Sequence, residues 1–285
     1  MMPVVTAVAL SLAAAITWGF SDFAAGLKSR RLPVAVVLLW VECSGLVAGL
    51  IAILVTAEPW PDGRTLLFSV IAGACGLGGL AAFYRGLAIG TMSVVAPISA
   101  AGVTLPVIVG IATGDALGAV VACGLVVTFA GVVLASREPP HDDHARRRAG
   151  RAALLLALAA ALGFGGYFTF GDVAADGSVL WLLTAGRLPL LPVIFFVVRR
   201  QGHAMLAPPA DRLPLVAIGL VDLTATGLYA LANTHGALAI VAVVGSLYPV
   251  VTILLAQLIL HERMSRVQGL GVITAMAGIA MVSAG

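Results

Sequence analysis

Ionisable side chains inside long apolar runs are the places where this sequence could do chemistry. Asp22, Glu42, Arg85, Arg187 and Asp222 each sit in a stretch otherwise dominated by Ala, Val, Leu, Ile and Gly. A charge at the centre of a hydrocarbon layer costs about 3 kcal/mol or more, so it is kept where it pairs or meets a polar guest. Counting about 1.5 Å per residue inward from the adjoining basic loops puts Arg85 ~5 Å deep, Asp22 ~8 Å, Glu42 ~12 Å, Asp222 ~14 Å and Arg187 ~16 Å. The midplane of the hydrocarbon lies near ~15 Å. Glu42, Asp222 and Arg187 therefore share one level. Two chemistries suit such a set: mutual neutralisation of structural charge, and a polar cavity where the groups touch a substrate. An Arg–carboxylate pair that opens to admit a zwitterion would serve both. With three carboxylates against two arginines one acid is left over, and a spare intramembrane acid is a candidate proton carrier.

Aromatic residues fall at the same depth. The same rise places Trp18 at ~14 Å, Tyr248 at ~15 Å and Phe164 at ~18 Å. Trp and Tyr favour the membrane interface, so at midplane they suggest a cavity wall, with ordinary packing as the plain alternative. Tyr84, beside Arg85, and Tyr229 stand 145 residues apart and are expected to line or gate the cavity, or to anchor at the interface. The expected substrate-binding set is Trp18, Asp22, Glu42, Tyr84, Arg85, Arg187, Asp222, Tyr229 and Tyr248. No metal or cofactor is expected: His141-Asp142-Asp143-His144 reads as a solvated loop. Cys43, Cys75 and Cys123 lie in apolar runs without a Cys-x-x-Cys motif.

The elements that position these residues follow from composition. The 285 residues are 61% hydrophobic and 10% charged, with a mean hydropathy of +1.09; a soluble domain carries about 25% charged residues. Lipid is the solvent such a chain needs. The net charge of +3 does not indicate nucleic acid, because the basic residues are scattered over short loops. Ten segments reach the roughly 20 residues that a span requires: 4–27, 34–56, 66–88, 92–112, 116–136, 152–172, 178–198, 213–234, 236–258 and 266–284. The first lacks a basic flank ahead of it and reads as a retained span rather than a signal peptide.

Part of the pattern occurs twice. Ser246 is followed 16 residues later by Glu262, then by Gly271 and Gly278 at 9 and 16 residues further. Ser99, Asp115, Gly124 and Gly131 repeat those spacings at an offset of 147, and Ala14-Ala15…Trp18-Gly19 matches Ala160-Ala161…Phe164-Gly165 at an offset of 146. The expected organisation is a first five-helix repeat over 1–136, a polar linker over 137–151 and a second five-helix repeat over 152–285. Five spans per half reverses the orientation of the second half. Of the 16 Lys and Arg residues, Arg85 and Arg187 lie in spans, Arg64 lies in an even-numbered loop and the rest lie in odd-numbered loops. The positive-inside rule makes those odd loops cytoplasmic and both termini external. Short small-residue pairs such as Gly45/Gly49, Gly86/Gly90 and Gly110/Gly114 suit close helix packing in lipid.

Trp18-Gly19, Tyr248-Pro249-Val250, Glu262, Gly269, Gly271 and Gly278 give the chain its resemblance to the ten-helix EamA branch of the drug/metabolite transporter superfamily. In the first half Gly102 stands where Pro249 has its counterpart, and Asp115 replaces the glutamate. The resemblance implies movement of small metabolites, often amino acids or amphipathic compounds. The whole reading is an all-α integral membrane protein: ten transmembrane helices as two inverted five-helix repeats in the cytoplasmic membrane. Its expected work is carrying a small-molecule substrate, amino acids first, by alternating access, with proton coupling through the spare acid and with one chain sufficient. Efflux of lipophilic cations is the alternative within transport. An intramembrane lipid-modifying enzyme is the rival outside it, and it lacks a catalytic cluster at either interface.

Overall fold

The computed structural model describes residues 2–105, 108–109, 118–135, 144–175, 177–235, 244–245 and 247–284. Asp115, Ser246, His141–Asp143, Gly110 and Gly114 lie outside the described residues. The described residues are helical throughout their ordered elements, and no strand occurs among them. The helices are α1 (Met2–Ser29), α2 (Val34–Thr56), α3 (Gly63–Ile89), α4 (Met92–Ala100), α5 (Ala119–Ala135), α6 (His144–Ala175), α7 (Val179–Ala185), α8 (Leu190–Arg200), α9 (Pro209–His235), α10 (Tyr248–Ile259) and α11 (Arg266–Ala284). Among the described residues, six helical segments are long and apolar enough to cross a membrane, and three shorter apolar helices accompany them. The second half of the expected linker, from His144, is helical and continuous with α6.

Local chemistry sets the helix ends. Asp62 caps α3 by accepting a 2.7 Å hydrogen bond from the Thr65 amide. Ser178 does the same for α7, accepting from the Trp181 amide. The seventh span, expected as one helix, is interrupted between Ala185 and Leu190, leaving α7 and α8. Its turn is held by bonds of the three-residue type, Arg187 N–H to Thr184 O and Leu190 N–H to Arg187 O. Pro189 contributes, because it has no amide hydrogen to donate to the carbonyl four residues back. Pro249 occupies the first turn of α10, where its missing donor is not needed.

Packing is close because the helices meet through small residues. A Cβ at Gly131 would strike the backbone of Ala275, one at Gly271 the backbone of Ala135, and one at Gly278 the backbone of Thr128, so α5 and α11 are in near-backbone contact. The other large interfaces join α1 to α9 and α3 to α6. Replacing each span by the one five places on turns the first of these pairs into the second. It carries the α5–α11 pair onto itself.

The two ends of the bundle are tied differently. At one end, Lys28 pairs with Asp211 at 2.5 Å and Arg30 with Glu262 at 2.9 Å, so the loops after spans one, three, seven and nine come together. At the other, the Glu58 carboxylate accepts from the Ser178 hydroxyl at 2.6 Å. The Trp181 indole there donates to the Pro59 carbonyl and stacks edge-on to Trp60.

Candidate functional site: a cavity at mid-span

The deepest charge in the sequence organises the site. Arg187 sits on the interruption between α7 and α8, where the side chain leaves a turn rather than a helix surface. Its Nε lies 2.9 Å from Glu42 Oε2 on α2, and its Nη2 lies 3.7 Å from Asp222 Oδ2 on α9. Its Nη1 donates back to the Leu183 carbonyl. The Nε–H points off the line to Glu42, so that contact is an ion pair and not an aligned hydrogen bond. Space for the guanidinium is made by Gly45, one helical turn beyond Glu42: a Cβ there would stand 3.0 Å from Arg187 Nε.

These three groups border a cavity of about 900 Å³, measured with its open mouth. Its walls are largely apolar and aromatic, with Trp18, Phe164, Tyr167, Phe168 and Tyr248 around Asp22, Glu42, Arg187, Asp222 and Thr226. Asp22 is the exception among the charges. It is 6% exposed, it lines the cavity, and among the described residues no cation or hydrogen-bond donor meets its carboxylate.

Trp18 lies one turn before Asp22 on α1, and that spacing puts both on one face of the helix. Its ring lies 6.2 Å from Tyr248 and 5.4 Å from Tyr229, centroid to centroid. Gly19 brings α10 in: a Cβ there would stand 2.8 Å from the Tyr248 carbonyl, and the Thr252 hydroxyl donates to the Gly19 carbonyl.

Of the nine expected residues, six border the cavity: Trp18, Asp22, Glu42, Arg187, Asp222 and Tyr248. The other three do not. Tyr229 packs behind Trp18. Tyr84 is wholly buried, its hydroxyl lacks a hydrogen-bond partner among the described residues, and it lies within electrostatic reach of Asp22, Glu42 and Asp222. Arg85 is exposed on the outer side of α3, away from the acids it was expected to neutralise, because adjacent helical residues point about a quarter-turn or more apart. Tyr167 and Phe168 were not expected. The signal for Tyr167 was its place three residues after Phe164, which puts both on one face of α6; Gly76 on α3 leaves room for its ring.

Thirteen solved chains match this one. One of them, described only as the crystal structure of a protein, superposes with a TM-score of 0.64 at 16% identity, over 97% of this chain and 96% of its own. At that identity the likeness concerns the fold alone. No curated protein matches. The model of the EamA-like transporter family matches residues 151–284. That stretch holds Arg187, Asp222, Tyr248 and Glu262, and over it the chain is similar to the EamA-like transporters of the drug/metabolite superfamily; with its apolar helices of spanning length this supports a multi-pass membrane protein.

Proposed function

We propose that this protein moves small organic metabolites, amino acids and related zwitterions first, across the cytoplasmic membrane by alternating access of two inverted five-helix halves around the mid-span cavity. The observation that carries the reading is the convergence of Asp22, Glu42, Asp222 and Arg187 on one aromatic-walled space. Intramembrane charge of that kind is costly, and facing a polar passenger is a use that repays it. The exchange of packing partners between α1–α9 and α3–α6 supports two related halves rocking about the site. The positive-inside count supports a cytoplasmic position for the Lys28–Asp211 and Arg30–Glu262 end. Trp18, Asp22, Glu42, Arg187, Asp222 and Tyr248 would contact the solute, with Tyr84 and Tyr229 as gate positions. Protons would couple through a carboxylate of this set, and one chain holds the whole pathway.

Flux from proteoliposomes loaded with a labelled amino-acid mixture tests the reading, with and without a pH gradient. Selective, saturable release supports it, and acceleration by the gradient supports proton coupling. Release no faster than from protein-free liposomes for every amino acid would sink it.

A further inference from the structure

We infer that Glu262 is a releasable latch between two groups of helices, and that transport requires it to let go of α4. The inference rests on the transport reading and names the contact that alternating access must break. The first group is α1, α9 and α10. α1 and α9 share one of the large interfaces, and α10 joins α1 where the Thr252 hydroxyl donates to the Gly19 carbonyl. The second group is α3, α4, α6 and α7, packed on one another. α4 is docked there: the Ser99 hydroxyl donates to the Ala157 carbonyl on α6 at 3.4 Å, and a Cβ at Gly86 on α3 would stand 3.1 Å from Val95.

Glu262 lies just past the end of α10 and reaches across the seam between the groups. One carboxylate oxygen accepts from the Met92 amide at 3.2 Å, and the other from the Ser93 amide at 3.1 Å. Arg30, just past α1, crosses at the same place: it pairs with Glu262 at 2.9 Å and donates to the Leu87 and Gly90 carbonyls of the second group. At the opposite end, the Ser178–Glu58 and Trp181–Pro59 bonds tie α7 to the loop ahead of α3 and so stay on one side of the seam. The apolar core divides in the same way. Near the latch it is continuous across the seam, where Phe23 and Leu215 share a cluster with Leu87 and Met92. At the opposite end it splits, with Ala7 and Ala232 in one cluster and Ile53, Trp181 and Ala185 in another. A latch must also be able to release. Both of its side chains are partly exposed, so water replaces each partner as the seam opens.

Spin-label distances across the seam test the latch, in the full-length protein in lipid nanodiscs with Cys43, Cys75 and Cys123 replaced by alanine. Val5→Cys on α1 with Gly63→Cys on α3 reads the far end; Ala210→Cys on α9 with Arg151→Cys on α6 reads the latched end. All four positions are exposed. Glu262→Ala should lengthen the distance at the latched end and shorten it at the far end. The ratio of the two populations should move about tenfold, the scale of a cap and a partly exposed pair lost together. Arg30→Ala, which leaves the cap, should move both distances the same way by less. A static cap gives a different result: Glu262→Ala melts lower while both distance distributions match the parent's. That outcome overturns the inference, as does a shift in the opposite direction. If Glu262→Ala does not fold, Arg30→Ala decides by the same criterion. Failure here is distinct from failure of the transport reading: amino-acid flux with unmoved distances sinks only the latch, and absence of flux for every solute sinks the proposed passenger class whatever the distances do.

Discussion

Arg30 and Glu262 are 232 residues apart in the chain, and their side chains meet at 2.9 Å. Glu262 does more than pair. Its two carboxylate oxygens also accept from the amides of Met92 and Ser93 and from the Ser93 hydroxyl, so an acid from the second half caps α4 in the first. Its position comes from the turn before it. His261 adopts a left-handed φ of 52°, and the Glu262 amide returns to the Ala256 carbonyl, a six-residue closure that ends α10.

Glu262→Ala removes an ion pair and a helix cap together. A cap contributes about 1 kcal/mol, and a partly exposed pair adds up to about 1 kcal/mol. Melting in detergent should fall accordingly, and Arg30→Ala should cost less, because the cap survives. Equal melting of the Glu262 variant and the parent would refute the capping role.

Removing Arg187 strands two acids. Arg187→Ala should destabilise by about 3 kcal/mol, the scale for breaking a buried pair from one side. Combining it with Glu42→Gln and Asp222→Asn should recover part of that loss. A triple variant less stable than Arg187→Ala would mean the acids are held by something other than the arginine. Denaturant titration of the parent, the single variant and the triple variant supplies the comparison.

The α5–α11 contact allows no side chain at its glycines. Gly131→Val, Gly271→Val and Gly278→Val should each lower the melting temperature by more than the same change at Gly269, where a Cβ meets open space. A uniform response at all four positions would show that helix propensity, and not approach of backbones, sets the cost.

Asp62 lies outside the spans, and the side-chain bond with Thr65 holds its carboxyl below the usual carboxylate range. A depressed acid stabilises at pH above its unfolded value and loses that contribution as pH falls through the folded one. Hydrogen exchange at the Thr65 amide should therefore stay slow near neutral pH and accelerate as pH drops below about 4, after correction for intrinsic rates. In Asp62→Asn the amide oxygen still caps, and the acid-side acceleration should vanish. Identical profiles for parent and variant would rule out the titrating cap.

Depth was legible from residue numbers, and direction around the helix was not. The level shared by Glu42, Asp222 and Arg187 follows from a fixed rise per residue, and the three side chains do meet. The same count could not say that Arg85 looks outward while Tyr84, its neighbour, is sealed inside, because helix rotation is set by packing against α6 and the other neighbours. Proline was visible but its effect was position-dependent: Pro189 sits at the break in a span, whereas Pro249 opens a helix. The partners of Glu262 were beyond reach, since nothing local in residues 258–266 points to Met92 or Ser93.

Gly45 on α2 and Arg187 on the turn between α7 and α8 share one space. A Cβ at residue 45 would stand 3.0 Å from the guanidinium Nε, so alanine there crowds the arginine and a larger residue needs the arginine to move aside. The two positions should therefore drift together across related sequences. A lineage that fills the first with bulk is expected to lose the arginine at the second, and with it the reason to keep acids at 42 and 222. The glycine records, in a residue with no side chain, whether a relative still maintains this charge at mid-membrane.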